Sequence, residues 1–424
     1  MSSIVVKDVD ETKSLVWFRN DLRINDNLAL NSALSVPGKV IGFYCFNLSM
    51  FKMTNLGFPR IDKFRAKFLL ETIENLKEDL KKINVTLIIK IGDPVEELTK
   101  IISQQKIKNI FFQKEWTQEE VDEEDQLKSK CNDKNFKSFY SQFLYDPNDL
   151  DINNISNVFT NFRKHCEKKL NVKDLVEYPK KLLEDNLLKD DYLTPSLSDL
   201  GLEDFEIDSR SAFKFKGGYN AAKERLDFYL WQSKKINFYK QTRNGLIGQD
   251  YSSKFSSWLS NGSISAREIF WEIKDYEKNI LKNQSTYWLI FELIWRDFFK
   301  YISMKYRNKI YKIGGILEKD YHWNTDNKTF DKWVDGLTNE PFVNANMLEL
   351  KYTGWMSNRG RQNVASYLAK ELNIDWRWGA RYFESQLIDY DVHSNYGNWM
   401  YVSGVGNDPR DRKFNIKFQA ERYD

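Results

Sequence analysis

Between residues 13 and 147 five β-rich runs, SLVWF, KVIGFYCF, VTLIIKI, NIFFQ and FKSFY, alternate with amphipathic stretches such as RIDKFRAKFLLETIENLKEDLKKI. No other feature constrains the fold as much. Strands separated by helices have to be joined by crossovers, so the order predicts a parallel sheet with right-handed connections. No Gly-x-Gly-x-x-Gly fingerprint follows the first run, so the domain is expected to be Rossmann-like in architecture without a Rossmann dinucleotide site. From about 148 to 205 the chain turns polar, with NDLDINN, a lysine pair at 180 and 181, and TPSLSDLGLED. This stretch reads as a long surface linker, with short helices where NVFTNFRKHCEKKL permits. The remainder, 206 to 424, is almost wholly helical by period. The expected organisation is an α/β domain over 13–147, a linker over 148–205 and an all-α domain over 206–424, which suits a chain of 424 residues.

Helix starts can be read locally. Thr117 with Glu120 forms a capping-box pattern after NIFFQ, and Ser265 with Glu268 forms another before IFWEIKDYEKNIL. A longer helix follows Ser285 as TYWLIFELIWRDFFKYISMKY. On it Trp288, Glu292, Trp295 and Phe299 recur at spacings of three and four, so one face carries two tryptophans around a carboxylate. Glu292 and Arg296 also have the favourable i,i+4 order for an ion pair. An aromatic stripe at helical spacing is usually core. The carboxylate in its middle argues for a site, because an unpaired buried charge is costly.

Composition narrows the class. Hydrophobic content of 41% fits a soluble protein, and no uncharged apolar run approaches the ~20 residues a bilayer span needs. The start, MSSIVVKDVDETKSLVW, resembles no targeting peptide, and residues 1 to 12 read as a frayed tail. Three unevenly spaced cysteines, Cys45, Cys131 and Cys166, favour a reducing compartment, cytosol or nucleus. With only His165, His322 and His393 and no paired cysteines, a metal enzyme is not supported. Net charge is +3, yet from Glu206 onward 34 Lys+Arg face 27 Asp+Glu, and eleven of the thirteen tryptophans lie there too. Basic charge beside aromatic rings suits a groove for phosphates and unstacked bases, although a lysine-rich surface over an aromatic core reads the same way.

The segment from Gly354 to Arg412 interleaves Arg359, Arg361, Asp389 and Asp391 with Trp355, Trp376, Trp378 and Trp399. Charges beside large flat rings suggest a buried planar ligand. Upstream, QDYSSKFSS places the hydroxyls of Ser252, Ser253 and Ser256 around Lys254 before a helix, a pattern able to cradle a diphosphate and equally able to serve as a plain N-cap.

These motifs carry a family resemblance. SNRGRQN (357–363), IDWR (374–377) and DYDVHSNYGNWMYVSGVGNDPR (389–410) make the chain similar to the photolyase/cryptochrome superfamily, and within it to cryptochrome-DASH. WFRNDLRINDN (17–27), GGYNAA (217–222), YKQTRNGLIGQDYSSKFSSWLSNGSIS (239–265) and STYWLIFELIWRDFF (285–299) extend the likeness over nearly the whole chain. The resemblance implies that the α/β domain holds a light-harvesting antenna, methenyltetrahydrofolate, with Glu115 at its pterin, where an acidic helix start explains the residue equally well. It implies that the helical domain binds FAD. Tyr239, Ser252, Ser253, Lys254, Phe255 and Ser256 then fall around the diphosphate side, and Glu292, Arg296, Asn358, Arg361 and Asp389 around the ring system. Asp391 falls at the pyrimidine edge and Asn395 opposite flavin N5.

The implied reaction is light-driven electron transfer from reduced FAD to a cyclobutane pyrimidine dimer flipped into a pocket. Glu292 and Asn358 would hydrogen-bond the lesion bases, Trp295 would stack on them, and Arg359 and Gln362 would line the mouth. Trp323, Trp376 and Trp399 occupy the positions of the family's electron-carrying tryptophan chain, and Trp333 reads as packing. Tyr401 stands where ordinary dimer photolyases carry a second tryptophan, so weaker stacking predicts preference for single-stranded DNA. No histidine lies within 357–362, which counts against a (6-4) photolyase. Asn344 and Leu348 replace the aspartate and arginine usual in relatives, so an ion pair is expected to be missing. A monomer acting on DNA is expected, with RNA as a further candidate partner. The competing function is a blue-light photoreceptor or nucleic-acid-binding regulator that keeps flavin and repairs little. The end at Asp424, without a long signalling tail, favours the enzyme.

Overall fold

The computed structural model describes residues 12–423 except 409 and 412, so the N-terminal residues 1–11 read as a tail lie outside the described residues. Five parallel strands, β1 (Lys13–Trp17), β2 (Lys39–Asn47), β3 (Thr86–Gly92), β4 (Asn109–Gln113) and β5 (Asn135–Phe139), form one sheet in the order β3-β2-β1-β4-β5. The helices between them are α1 (Leu28–Leu34), α2 (Lys63–Lys82), α3 (Pro94–Gln104) and α4 (Gln118–Lys130). Alternation along the central strands serves two cores. Leu15, Trp17, Ile41 and Phe43 pack toward α3 and α4, whereas Val16, Val40, Phe46 and Leu87 pack toward α1 and α2. A sheet covered on both faces explains why these strands read as nearly continuous apolar runs. The parallel α/β expectation therefore holds.

The stretch from 148 to 205 is less detached than a surface linker. Its helix α5 (Phe159–Lys169) packs on the helical domain, and further on Asn186 is buried, donating to Val40 O (2.9 Å) and Asn84 O (2.7 Å) and accepting from Val40 N. Asn186 thereby ties the stretch into the α/β domain.

Beyond it the chain is helical: α6 (Tyr219–Asp227), α7 (Tyr239–Thr242), α8 (Ser256–Ser260), α9 (Ala266–Asn279), α10 (Gln284–Tyr306), α11 (Asn327–Val334), α12 (Pro341–Thr353), α13 (Asn358–Ser366), α14 (Trp376–Gln386), α15 (Val392–Ser403) and α16 (Ile416–Tyr423). The long α10 is the central rod, packed on α15, α7 and α9. It starts at a capping box formed by Asn283 and Thr286. No helix among the described residues is long and apolar enough to cross a membrane.

Neither expected capping box closes. Thr117 precedes α4 without a side-chain cap bond. Ser265 Oγ does accept from Glu268 N (2.9 Å), but the Glu268 carboxylate turns outward to Tyr219 OH (2.8 Å) instead of closing the box. In both cases a tertiary partner or burial overrides the local motif. Asn344 closes its own turn, accepting from Thr338 N and donating to Thr338 O.

The two domains meet through buried polar anchors. Arg23 of the WFRNDLR motif donates to Gly262 O (2.9 Å) and Ser141 O (3.0 Å). Asp297 of α10 accepts the backbone N–H groups of Leu144 and Tyr145, each at 2.9 Å. Gly262 has φ +73°, and a Cβ there would stand 2.0 Å from Asn20 O, so only glycine permits this approach.

Candidate functional site

A cavity of ≈550 Å3 opens within the helical domain, lined by α7, the 251–256 loop, α10, α13 and α15. The loop is fixed from behind. Arg225 of α6 donates to Ser253 O and Ser252 O, both at 3.0 Å, and pairs with Asp250 at 2.7 Å. Lys254, at φ +65°, is thereby turned inward. Its ammonium is buried without a hydrogen-bond partner, 3.5 Å from the Tyr251 ring and 4.5 Å from the Trp355 ring. Burial pushes this amine down to about 6. Helix α8 has only five residues, so the positive character of the loop comes from Lys254 and not from a helix dipole. Lys254 with the hydroxyls of Ser252 and Ser253 in the same lining suits a diphosphate group, and these residues fit FAD.

Along one wall Arg361 pairs with Asp389 at 2.9 Å, and Ser256 Oγ donates to Asp389 Oδ2 at 2.7 Å. Ser256 is thus engaged with the carboxylate rather than with the loop. Asp391 caps α15 through Ser394 N (2.8 Å) and pairs with Lys300 (2.8 Å). Against the raising effect of burial, Lys300, His393 and Arg296 hold the Asp391 carboxyl far below the usual carboxylate range. Asn395 lies outside the cavity lining, its amide committed to Ala380 O at 3.0 Å.

Glu292 lies on the same cavity wall, but its partner is not Arg296. It pairs with Arg243 just beyond α7, whereas Arg296 donates to Gln142 O and to Leu259 O (3.1 Å). Two carbonyls from distant segments outcompete the i,i+4 geometry. Burial raises the Glu292 carboxyl above its ordinary value, with Arg243 opposing. Tyr239, Phe255, Asn358, Arg359, Gln362, Trp295 and Tyr401 line the same space. Trp295 and Tyr401 stand edge to face at 6.2 Å and 87°. The far face of Trp295 is stacked at 3.6 Å on Phe159 of α5, so one indole face is already used. Arg359 donates to Gln362 Oε1 (3.0 Å) and Asn244 Oδ1 (3.1 Å).

The tryptophans are less linear than their sequence positions imply. Trp376 donates to Ile313 O (2.9 Å), and Trp399 lies 5.1 Å from Phe383 and 6.2 Å from Trp333. Among the described residues no ring contact joins Trp323, Trp376 and Trp399 to one another, although Trp399 packs against Gly379, one turn along the helix that Trp376 begins. Trp333 is buried and bonds Val364 O (3.1 Å), in keeping with packing.

A second, larger cavity of ≈1140 Å3 lies beyond the C-terminal ends of β1, β2 and β4, where the domains meet. Glu115 lines it, accepting from Gln113 Nε2 (2.8 Å). His393 lines it too, stacked on Trp116 at 4.4 Å. Ser260, Arg296 and Asp391 line both cavities, so the partition is one side chain thick.

Sequence reasoning missed three residues of this machinery. Arg243 sits in the YKQTRNGL motif four positions after Tyr239 and could have been found there. Lys300 continues the 292–296 face by one more turn, so helical period contained the signal. Arg225 had none, because its role exists only once α6 backs the loop.

Comparison with known proteins agrees with this geometry. Residues 14–180 match the family described as DNA photolyase, and residues 288–424 match the FAD binding domain of DNA photolyase. The chain is 44% identical over 416 residues to cryptochrome DASH of Synechocystis sp., covering 97% of this chain and 85% of that one. It is 43% identical over 414 residues to cryptochrome DASH of Danio rerio, covering 96% of this chain and 80% of that one. In three dimensions it is similar to the crystal structure of Synechocystis sp. cryptochrome, with a TM-score of 0.93 at 43% identity over 97% of this chain and 86% of that one. It is also similar to a bacterial class III photolyase from Agrobacterium tumefaciens, with a TM-score of 0.84 at 28% identity over 100% of this chain and 86% of that one. A parallel α/β domain, a helical FAD-binding domain and identity sustained over nearly the whole chain place this protein in the photolyase/cryptochrome family, as a member of its cryptochrome-DASH branch.

Proposed function

We propose that the protein is a light-dependent deoxyribodipyrimidine photolyase acting chiefly on cyclobutane dimers in single-stranded DNA. The observation that carries this reading is that one cavity joins the anion-binding loop at Lys254 to Glu292, Trp295 and Tyr401. Reduced FAD, when bound, supplies one electron to the dimer on illumination. Ser252, Ser253 and Lys254 hold its diphosphate, Tyr239 and Phe255 close the cavity over it, and Arg361, Asp389 and Asp391 present polar groups to its ring system. Asn395 supports α14 from behind this wall.

Lesion binding falls to the outer part. Glu292, paired with Arg243, and Asn358 accept and donate hydrogen bonds to the flipped bases. Trp295 stacks on them with its one free face, and Tyr401 provides the second, smaller platform. Arg359 and Gln362 orient the flanking strand. Flipping costs a few kcal/mol in a duplex and less in a single strand, so weak stacking at Tyr401 favours unpaired substrate. Trp323, Trp376 and Trp399 would supply oxidisable indoles able to relay an electron within this domain, through intervening atoms because no ring contact joins them among the described residues. The cavity at the domain junction, with Glu115 in its wall, is read as a methenyltetrahydrofolate antenna site.

Reduced protein illuminated with a dimer-bearing oligonucleotide should restore thymine absorbance faster on single-stranded than on duplex DNA. Equal turnover on both would remove the single-strand preference. Flavin uptake with no repair on either would favour the photoreceptor or regulator instead.

A further inference from the structure

We propose that Tyr321 is a proton-coupled electron donor to Trp323: when the Trp323 indole has lost an electron, the Tyr321 phenol replaces it and hands its own proton to Asp411. The chemistry of this pair needs no bound ligand, whereas its use in photochemistry rests on the reading of Trp323 as a member of the electron relay. The segment between α10 and α11 holds the two rings 6.1 Å apart, edge to face at 76°. Their hydrogens are placed very differently. Trp323 Nε1 is buried and has no hydrogen-bond partner among the described residues. An oxidised indole relaxes by shedding this proton, so an N–H without an acceptor leaves the radical cation at its full oxidising strength. Tyr321 Oη does have an acceptor: it donates to Asp411 Oδ2 at 2.9 Å, within reach for proton transfer. A phenol gives up an electron readily only as its proton leaves, and this carboxylate stands where it can take the proton. Tyr276 shows the contrast, because it packs 5.3 Å from Trp231 but gives its hydroxyl to the amide oxygen of Asn237, which is no base.

The groups around the phenol make the transfer one-way. Lys319 donates to Tyr321 Oη at 2.8 Å, so the oxygen keeps a charged donor after its proton has gone. Lys370, just beyond α13, pairs with Asp411 Oδ1 at 2.6 Å and stands 5.4 Å from the phenol ring. Against the raising effect of burial, hydrogen bonds from Lys370 and Tyr321 hold the Asp411 carboxyl below its ordinary value. Its side chain is 37% exposed, so a proton placed there passes on to water and the electron does not return. The step balances: one electron moves from the phenol to the indole radical cation and one proton from Oη to Oδ2, leaving a neutral indole, a neutral tyrosyl radical and a carboxylic acid that releases its proton to solvent. The upstream oxidant is any one-electron acceptor able to oxidise an indole, a photoexcited flavin among them. A backbone path leads inward from the pair. Asn324 N donates to Asn373 O (2.7 Å) and Asp375 N to Asn324 O (3.1 Å), so the residue after Trp323 is bonded to the residue before Trp376.

Pulse radiolysis of the full chain with azidyl radicals, which oxidise accessible indoles without any flavin, tests the pair. The visible band of the indole radical should decay as the shorter-wavelength band of the tyrosyl radical grows, at a rate independent of protein concentration. Tyr321→Phe and Trp323→Phe should each remove the same share of that growth. Asp411→Asn leaves both rings in place and should slow the Tyr321 share on the order of a hundredfold, the effect of losing a positioned base. The parent rate should also fall in deuterated solvent, which a merely structural role of Asp411 does not produce. Tyrosyl growth unchanged in Tyr321→Phe would overturn the proposal, as would an Asp411→Asn rate equal to that of the parent. A flash of blue light on the same chain loaded with oxidised FAD addresses the relay separately. A tyrosyl band that Tyr321→Phe removes under azidyl radicals but that never forms under light would overturn the reading of Trp323 as a relay member and leave the donor pair standing.

Discussion

At the scale of single residues, several buried charges of the site are made tolerable by a specific partner. Glu292 and Arg243 illustrate the consequence. Replacing Glu292 with alanine removes a charged hydrogen-bonding group at the lesion pocket, worth roughly 1.5–3 kcal/mol. Dimer affinity should therefore fall about tenfold to a hundredfold, while the flavin absorption spectrum stays unchanged. Arg243→Met should lower affinity as well, because it leaves the Glu292 carboxyl buried without its cation. Lys300 and Asp391 make the complementary point away from the substrate. Lys300→Met strands the Asp391 carboxylate and should cost about 3–5 kcal/mol in denaturant unfolding. Adding Asp391→Asn keeps the cap on α15 and removes the stranded charge, so the double variant should recover much of that loss.

At the scale of elements, the cavity wall proposed to hold flavin depends on how closely α14 and α15 approach. Gly379 on α14 faces Trp399 on α15, and a Cβ there would stand 2.2 Å from the indole and 2.6 Å from Leu368. Gly379→Ala should therefore destabilise the protein by about 1–3 kcal/mol through overpacking. It should also loosen flavin retention, measured as FAD release during thermal unfolding. What was legible beforehand follows the same division between element and contact. Strand–helix alternation gave the parallel sheet because both of its faces are buried, and period gave the 292–295–299 face of α10 because helical spacing survives any tertiary context. Partners were not legible. Glu292 was expected to pair with Arg296 one turn on, but Arg243 reaches it from a separate segment, and the open carbonyls of Gln142 and Leu259 claim Arg296. Period likewise placed Trp295 on the face of α10 that lines the cavity without showing that Phe159, more than a hundred residues earlier, already covers one of its faces.

At the scale of the whole molecule, the relation between the domains is set by few groups, and one of them titrates. Asp297 is fully buried on α10 and accepts the N–H groups of Leu144 and Tyr145, which lead the chain out of the α/β domain. Those bonds orient the first cavity against the second across the shared wall of Ser260, Arg296 and Asp391. Burial raises the Asp297 carboxyl to about 6, with Tyr145, Arg296 and Leu144 opposing. Because the folded value lies above the ordinary carboxylate value, the folded state binds more protons than the unfolded state between about pH 4 and pH 6. This group's contribution to stability is thus largest below that window and falls as pH rises through it, by roughly 2–3 kcal/mol for a shift of about two units. Asp297→Asn keeps one acceptor oxygen for the linker and cannot ionise. Chemical denaturation of the two proteins at pH 4.5 and pH 7 should show the variant losing ground to the parent at the lower pH and gaining on it at the higher one. An unchanged difference across that range would mean that the carboxylate stays ionised at the seam throughout and that the domain junction does not respond to pH.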